Sequence, residues 1–379
     1  MRFKDVLGHE DIKRRLANTV TENRVSHAQL FLGPPGSGNL ALALAYAQYI
    51  NCTQKQDNDS CGLCPSCKKY QKLIHPDLHF IYPITATKAI KKPLSKLFLE
   101  PWRELVLEKE AVINLNDWYR QIEIENKQAI INAEDANEII KTLSYKSYES
   151  EYKVMIIWMP ERFFHSAIPK ILKILEEPPE KTLFLLVAEQ SDKILQTILS
   201  RTQMVKLYRL KDEEIVHELV HKHAVDEMEA HKIAAMAEGN LIQAKQLINQ
   251  AQIEKQNFET FREWFRLCWK FNMDGLIEFS QKTAKIGREP QKQFLNYGLR
   301  VVRHAITVNY IDASHLKLDP VEMDFIVKLS PFINPSNIIQ FTEELEKAAY
   351  HIERNANPNI LFMDLSLKFA KLIHSKPKS

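Results

Sequence analysis

Along residues 1–205, short unbroken apolar runs alternate with stretches of helical spacing. Ala28-Gln29-Leu30-Phe31-Leu32 leads into a glycine-rich turn and then into Leu40–Ile50, an alanine-rich helix. His79-Phe80-Ile81-Tyr82 follows a Pro-Asp break, and Lys153–Trp158 and Thr182–Ala188 are continuous apolar runs. Runs that do not alternate, with helices between them, suit strands covered on both faces of a parallel sheet. The pattern predicts a three-layer α/β domain. Residues 84–129 break the rhythm: lysines at 88, 91 and 92, then Trp102 and Trp118, then mixed charge around Glu108–Glu110. This segment is expected to be an insertion or helical excursion on the domain surface, its aromatic residues covering a sheet edge or meeting a partner.

After Leu207 no strand pattern is evident. Glu213–His223 and Asp226–Ala237 have apolar spacings of three and four, and Gly239-Asn240 closes the second in the manner of a helix C-cap. Leu241–Ile248 starts a further helix. From about residue 255 onward amphipathic helices dominate, broken at Pro290, Pro320, Pro331, Pro335 and Pro358. The tail 376–379 is expected to be loose. No repeat of fixed period is evident. The predicted organisation is an α/β domain (1–205), a small helical domain (206–252) and a larger all-helical domain (253–379).

The length of 379 residues agrees with two or three domains. Lys and Arg total 51 against 48 Asp and Glu, a formal net charge of +3, too mild for wholesale wrapping of nucleic acid by electrostatics. The longest apolar runs are strand length, far short of the ~20 residues of a membrane span. Met-Arg-Phe-Lys-Asp at the start is not followed by an apolar signal region. A cytoplasmic protein without membrane partners is expected.

Gly33-Pro34-Pro35-Gly36-Ser37-Gly38-Asn39-Leu40 stands between a strand and a helix, with the spacing of a phosphate-binding P-loop whose amides cradle phosphate. Lys and Ser/Thr should follow, yet Asn39 and Leu40 stand there, so this loop offers neither an ammonium for phosphate nor a hydroxyl for magnesium. Gly33, Gly36, Gly38 and Asn39 therefore read as a vestigial phosphate loop, kept for its shape and empty of nucleotide, the other reading being a residual anion site. The acidic pair expected after a neighbouring strand is also missing. Trp158 and Met159 hold those positions, and Glu161 lies too far on, behind Pro160. No intrinsic ATP hydrolysis is expected.

Cys52-x8-Cys61-x2-Cys64-x2-Cys67 supplies four thiolates at the spacing of a closed tetrahedral zinc site, structural because no coordination position stays open. Redox-active or disulfide-paired cysteines are the alternative, disfavoured in a reducing compartment. The fifth, Cys268, lies in an aromatic-rich helical stretch and reads as a core residue. Leu199-Ser200-Arg201-Thr202 follows the last apolar strand and a short helix. Taken alone, Arg201 is a surface arginine or the partner of a nearby carboxylate.

Several segments together resemble the AAA+ subunits of bacterial clamp loaders: Phe3–Gly8, His27–Phe31 before the glycine loop, the cysteine quartet followed by His75-Pro76-Asp77, Lys170–Pro179 ending in Leu-Glu-Glu-Pro-Pro, and Ser200-Arg201-Thr202, which matches the family's Ser-Arg-Cys motif with Thr202 in place of cysteine. The likeness spans residues 1–250 and, more weakly, the helical remainder, where Asn355-Ala356-Asn357-Pro358 resembles the end of the collar. Within the family, a lost P-loop lysine and acidic pair beside a retained zinc module and Ser-Arg motif is the pattern of the delta-prime kind.

The resemblance implies a degenerate AAA+ domain, a helical lid and a helical collar. It implies a non-hydrolysing subunit of DNA polymerase III, itself a DNA-directed DNA polymerase assembly, that lends Arg201 as an arginine finger in trans, with Ser200 positioning it. The implied partners are the tau/gamma ATPase and delta subunits, the sliding clamp and, indirectly, primed DNA. Pro169 and Gln243 depart from the family, the latter where an ATPase subunit would carry its sensor arginine. A tau/gamma-type ATPase with an unusual P-loop and a zinc-containing DNA-binding adaptor are the competing readings.

Overall fold

In the computed structural model the unbroken apolar runs become strands, and the spaced runs become helices. The structure describes every residue except 88–89, 125–126, 311–315, 317 and 376–379, so Lys88 and the tail 376–379 lie outside the described residues. The chain divides into two compact units, Met1–Ile248 and Asn249–Ser379.

The first unit opens with α1 (Glu10–Thr21), β1 (Ala28–Leu32), α2 (Asn39–Ile50), α3 (Pro65–Gln71) and β2 (Leu78–Ile81). It continues through α4 (Leu99–Glu108), α5 (Leu115–Gln121), α6 (Ala133–Ser144), β3 (Lys153–Trp158), α7 (Ile168–Glu176), β4 (Thr182–Ala188), α8 (Gln196–Leu199) and β5 (Gln203–Lys206). The five strands form one sheet in the order β2-β3-β4-β1-β5, every pair parallel. All residues of β1, β3 and β4 are buried, which is why these runs carry no polar alternation. The edge strand β5 was not anticipated. Only its Val205 is buried, so Gln203-Met204-Val205-Lys206 carries too little apolar signal to be recognised.

The segment 84–129 carries α4 and α5, and its aromatic residues take the covering role, the first of the two expected for them. Trp102 and Trp118 are fully buried, and Trp102 stacks on Tyr82 with ring centroids 4.3 Å apart. Trp118 meets Trp102 edge-on at 5.4 Å, and its indole N–H donates to the Pro83 carbonyl at 2.7 Å. These rings cover the β2–β3 side of the sheet and belong to the main core. His75-Pro76-Asp77 anchors the same side: the Asp77 carboxylate accepts from the backbone N–H of Tyr148, Glu149 and Ser150 at 2.6, 2.9 and 3.0 Å.

After the sheet come α9 (Asp212–His223), α10 (Glu227–Ala237) and α11 (Leu241–Lys270). Left-handed Glu238 and Gly239 end α10, and Asn240 starts α11 by accepting from the N–H of Ile242 and Gln243. The first turns of α11 share a small core with α9 and α10. The rest of α11 belongs to the second unit, with α12 (Met273–Ala284), α13 (Arg288–Val308), α14 (Pro320–Leu329), α15 (Ile338–Glu353) and α16 (Pro358–Ile373). Its core is built on Phe261, Trp264, Phe294 and Phe369, with the Trp264 N–H on Ser366 Oγ at 2.8 Å. Cys268 is buried there, and desolvation pushes its thiol up. No helix among the described residues is long and apolar enough to cross a membrane.

Trp102→Ala is expected to cost the first unit about 3–5 kcal/mol. Trp102→Phe should cost much less, because the Trp102 N–H is buried without a partner among the described residues and contributes no hydrogen bond. Urea unfolding followed by circular dichroism checks both values.

Candidate functional site

The glycine loop lies at the C-terminal end of β1. Gly36 and Gly38 adopt φ of 75° and 82°, a left-handed conformation that glycine enters without strain. Asn39 turns back under the loop: its side-chain N–H donates to the carbonyl of Ala188 at 3.0 Å, and its Oδ1 accepts from Leu40 N–H at 2.8 Å. Where a P-loop lysine would reach outward to phosphate, this amide ties the loop to the end of β4. His9 places Nε2 2.8 Å from the Ser37 carbonyl, which fixes a proton there, and burial lowers its pKa.

The start of α11 closes over the loop. Leu241 N–H donates to the Gly36 carbonyl at 3.3 Å, and a Cβ on Gly36 would lie 2.0 Å from Asn240 Oδ1. Glu110, on the turn after α4, pairs with Lys245 at 3.3 Å and Lys222 at 3.6 Å, while Val112 packs against the core of α9–α11. The cavity left between the loop, this turn and α9–α11 measures about 20 Å³, lined among others by Ser37, Gly38, Glu110 and Leu241. That is room for about one water molecule. Gln243 is turned to the Met236 carbonyl at 3.1 Å.

At the same end of the sheet, β3 finishes in Trp158, packed 5.2 Å from Trp102. The end of this strand is therefore filled by the aromatic core instead of a metal-binding acid. Glu161 nevertheless returns to the sheet: its Oε1 accepts from the N–H of Glu189 and Gln190 at 2.6 and 2.9 Å. Burial raises the Glu161 pKa, and desolvation together with the Glu161 charge pushes Glu189 to about 7. Sequence reasoning missed Glu189, although it directly follows the apolar run of β4.

The four cysteine sulfurs lie within 4.8 Å of one another. Backbone N–H groups of Leu63 and Cys64 point at Cys61 Sγ at 3.4 and 3.3 Å, and that of Cys67 at Cys64 Sγ at 3.4 Å. Donors aimed at sulfur favour thiolates, and the donor set suits a tetrahedral divalent ion.

Arg201 is at the other end of the sheet. It lies in the turn before β5, two positions ahead of Gln203, which opens that strand by pairing with Gln29. Gln29 is four positions before Gly33, roughly 13 Å along the strands at about 3.3 Å per residue, and Arg201 comes before that point. The Arg201 Nε–H donates to Glu176 Oε1 at 2.7 Å, and Nη2 contacts the same oxygen. Nη1 donates to the Thr197 carbonyl at 2.9 Å and lies 3.4 Å from Ser200 Oγ. The structure thus brings Ser200 to Arg201, and places both at the opposite end of the sheet from the glycine loop.

These features define an α/β protein of P-loop type, with a four-cysteine module after α2 and a helical C-terminal unit. The family described as DNA polymerase III, delta subunit matches residues 8–211, more than half of the chain, and the chain belongs to that family, in agreement with the clamp-loader resemblance. The chain is similar to the DNA polymerase III subunit tau of Escherichia coli (strain K12), 28% identical over 254 residues, which are 66% of this chain and 33% of that protein. It is similar to subunit delta' of Haemophilus influenzae, 28% identical over 261 residues, 69% of this chain and 65% of that one. Subunit delta' of Bacillus subtilis is 27% identical over 236 residues, 62% and 58% of the two chains. The chain therefore spans a third of the tau relative's length and less than two thirds of each delta' relative's.

Because the folded pKa of Glu189 lies above the ordinary 4.5, the folded state holds a proton that the unfolded chain releases. The stability this adds is complete below about pH 4.5 and lost as pH rises through about 7. Glu189→Gln should stabilise the protein by on the order of 1–3 kcal/mol at pH 8.5 and by little at pH 4.5, as read from urea midpoints at the two pH values.

Proposed function

We propose that this chain is a non-hydrolysing clamp-loader subunit of DNA polymerase III, of the delta-prime kind. In this reading it sits beside an ATPase subunit of the tau/gamma kind, lends Arg201 in trans, and helps place the sliding clamp on primed DNA, with delta as a further partner. Residues 1–205 act as the degenerate AAA+ domain, 206–252 as the lid and 253–379 as the collar that joins the subunits. Because the tau and delta' relatives are about equally similar in sequence, the site geometry has to favour one kind over the other.

The observation that carries the reading is the position of Arg201. It lies before the N-terminal end of β5, which is itself roughly 13 Å along the strands from the glycine loop, and so is out of reach of any phosphate that loop could hold. Its guanidinium is half-buried and reaches the surface, where it brings fixed positive charge and planar donors suited to phosphoryl oxygens. Charge that grows on the transferring phosphoryl group is stabilised by such an arginine, worth about 10³–10⁵ in rate in other phosphoryl-transfer systems. The glycine loop supports the non-hydrolysing half of the reading. Asn39 bonds inward, Trp158 replaces the acid, and Asn240-Leu241 stands over Gly36.

In the assembled complex, Arg201→Ala should leave assembly intact and lower DNA- and clamp-stimulated ATP hydrolysis by at least tenfold; unchanged stimulated activity refutes the trans role. Titration calorimetry of the isolated chain with ATPγS and magnesium should show no binding up to millimolar nucleotide. Micromolar, magnesium-dependent binding would instead favour the tau/gamma-type reading.

The four cysteines are proposed to hold a structural zinc ion, which would tie the loop after α2 to α3 without taking part in chemistry. Purified protein should carry about one zinc per chain by plasma mass spectrometry. Cys64→Ser should lose it and lower the thermal midpoint; metal-free wild-type protein with an unchanged midpoint would sink this assignment.

A further inference from the structure

Arg201 does not extend freely from its turn. Its guanidinium offers five N–H donors. The Nε–H goes to Glu176 Oε1 at 2.7 Å, Nη2 reaches the same oxygen, and Nη1 donates to the Thr197 carbonyl at 2.9 Å. Nη2 keeps a second N–H with no partner among the described residues. Contacts from two separate elements, the end of α7 and the α8 turn, therefore fix the direction of the side chain.

Glu176 is itself well placed to hold another group. It is the last residue of α7, whose Ile171, Ile174 and Leu175 are buried against the sheet. His27 Nε2 lies 3.1 Å from the Leu175 carbonyl, tying this end of α7 to the start of β1. Pro178-Pro179 prevents the helix from continuing. The Glu176 backbone is thus set by the core while its carboxylate, 48% exposed, reaches the surface.

We propose that Glu176 is a positioning residue for Arg201: it holds the Nε edge of the guanidinium so that the second Nη2 N–H faces a phosphate on the neighbouring subunit. This rests on the trans role of Arg201 given above. An ion pair this exposed adds little to folding, so its effect falls on orientation. Arginine is a long, flexible chain, and a finger already held in one direction loses less freedom when it meets its target. Glu176 bonds to one edge of the planar fork, Thr197 and Ser200 engage Nη1, and one Nη2 N–H is left over. It touches no reacting atom and acts only through Arg201.

The test is a double-mutant cycle on DNA- and clamp-stimulated ATP hydrolysis by the complete complex. Glu176→Ala should lower kcat about tenfold, with KM for ATP moving less than about twofold. Glu176→Gln, which keeps an acceptor oxygen at the same place, should recover most of that loss. In an Arg201→Ala background Glu176→Ala should cost nothing further. The thermal midpoint of each Glu176 variant should match that of the wild type. An unchanged kcat on Glu176→Ala, beside a loss on Arg201→Ala, overturns this inference alone. So does a raised kcat, which would make Glu176 a restraint, or an equal loss in both backgrounds, which would make it independent of Arg201. No effect of Arg201→Ala removes the trans reading and this inference with it.

Discussion

Parallel pairing of β1 with β4 on one side and β5 on the other puts the C-terminal ends of these strands along one edge of the first unit and their N-terminal ends along the opposite edge. The rest of the molecule's chemistry depends on this separation. The glycine loop leaves the end of β1, while Ser200 and Arg201 arrive before the start of β5, so a buried sheet lies between them. Because β1, β3 and β4 are buried along their whole length, the distance between the two edges cannot be shortened without dismantling the core. One chain can present both a loop and an arginine, yet cannot bring them to the same phosphate.

The edge that carries the glycine loop is occupied by the protein itself. Asn39 turns inward to the Ala188 carbonyl, Leu241 donates to Gly36, and Trp158 joins a stack with Trp102. The segment 84–129 supplies much of this filling. Its buried indoles complete the core beside β2 and β3, and its Glu110 turn meets Lys222 and Lys245 of the following helices. An insertion that looked like added surface is thus part of what makes α9, α10 and the start of α11 pack with the sheet as one unit. At the end of β3 aromatic packing decides the chemistry, since a position that holds an indole cannot also hold a metal-binding carboxylate.

The opposite edge is built differently. Its Glu176 and Arg201 reach the surface half-buried, held by hydrogen bonds and presented on short elements whose backbones are fixed by the core behind them. Glu176 at the end of α7 and Arg201 after α8 are brought together only because α7 packs across the sheet toward the start of β1.

The sequence by itself determined what local pattern can encode. Unbroken apolar runs marked β1, β3 and β4 to within a residue, because burial on both faces removes polar alternation. Cys-x2-Cys spacing brought four thiols into one cluster, because short turns leave little freedom in where the side chains meet. Asn39 and Leu40 revealed a missing ammonium and hydroxyl directly. Tertiary structure alone decided the rest. Gln203–Lys206 carries one buried residue, so only pairing with β1 makes it a strand. Trp102 and Trp118 are as consistent with a partner surface as with a core until the chain path folds them onto Tyr82 and Trp158. Glu161 and Glu189, like Glu176 and Arg201, are 28 and 25 positions apart, and no periodicity links residues whose meeting is set by where a strand ends.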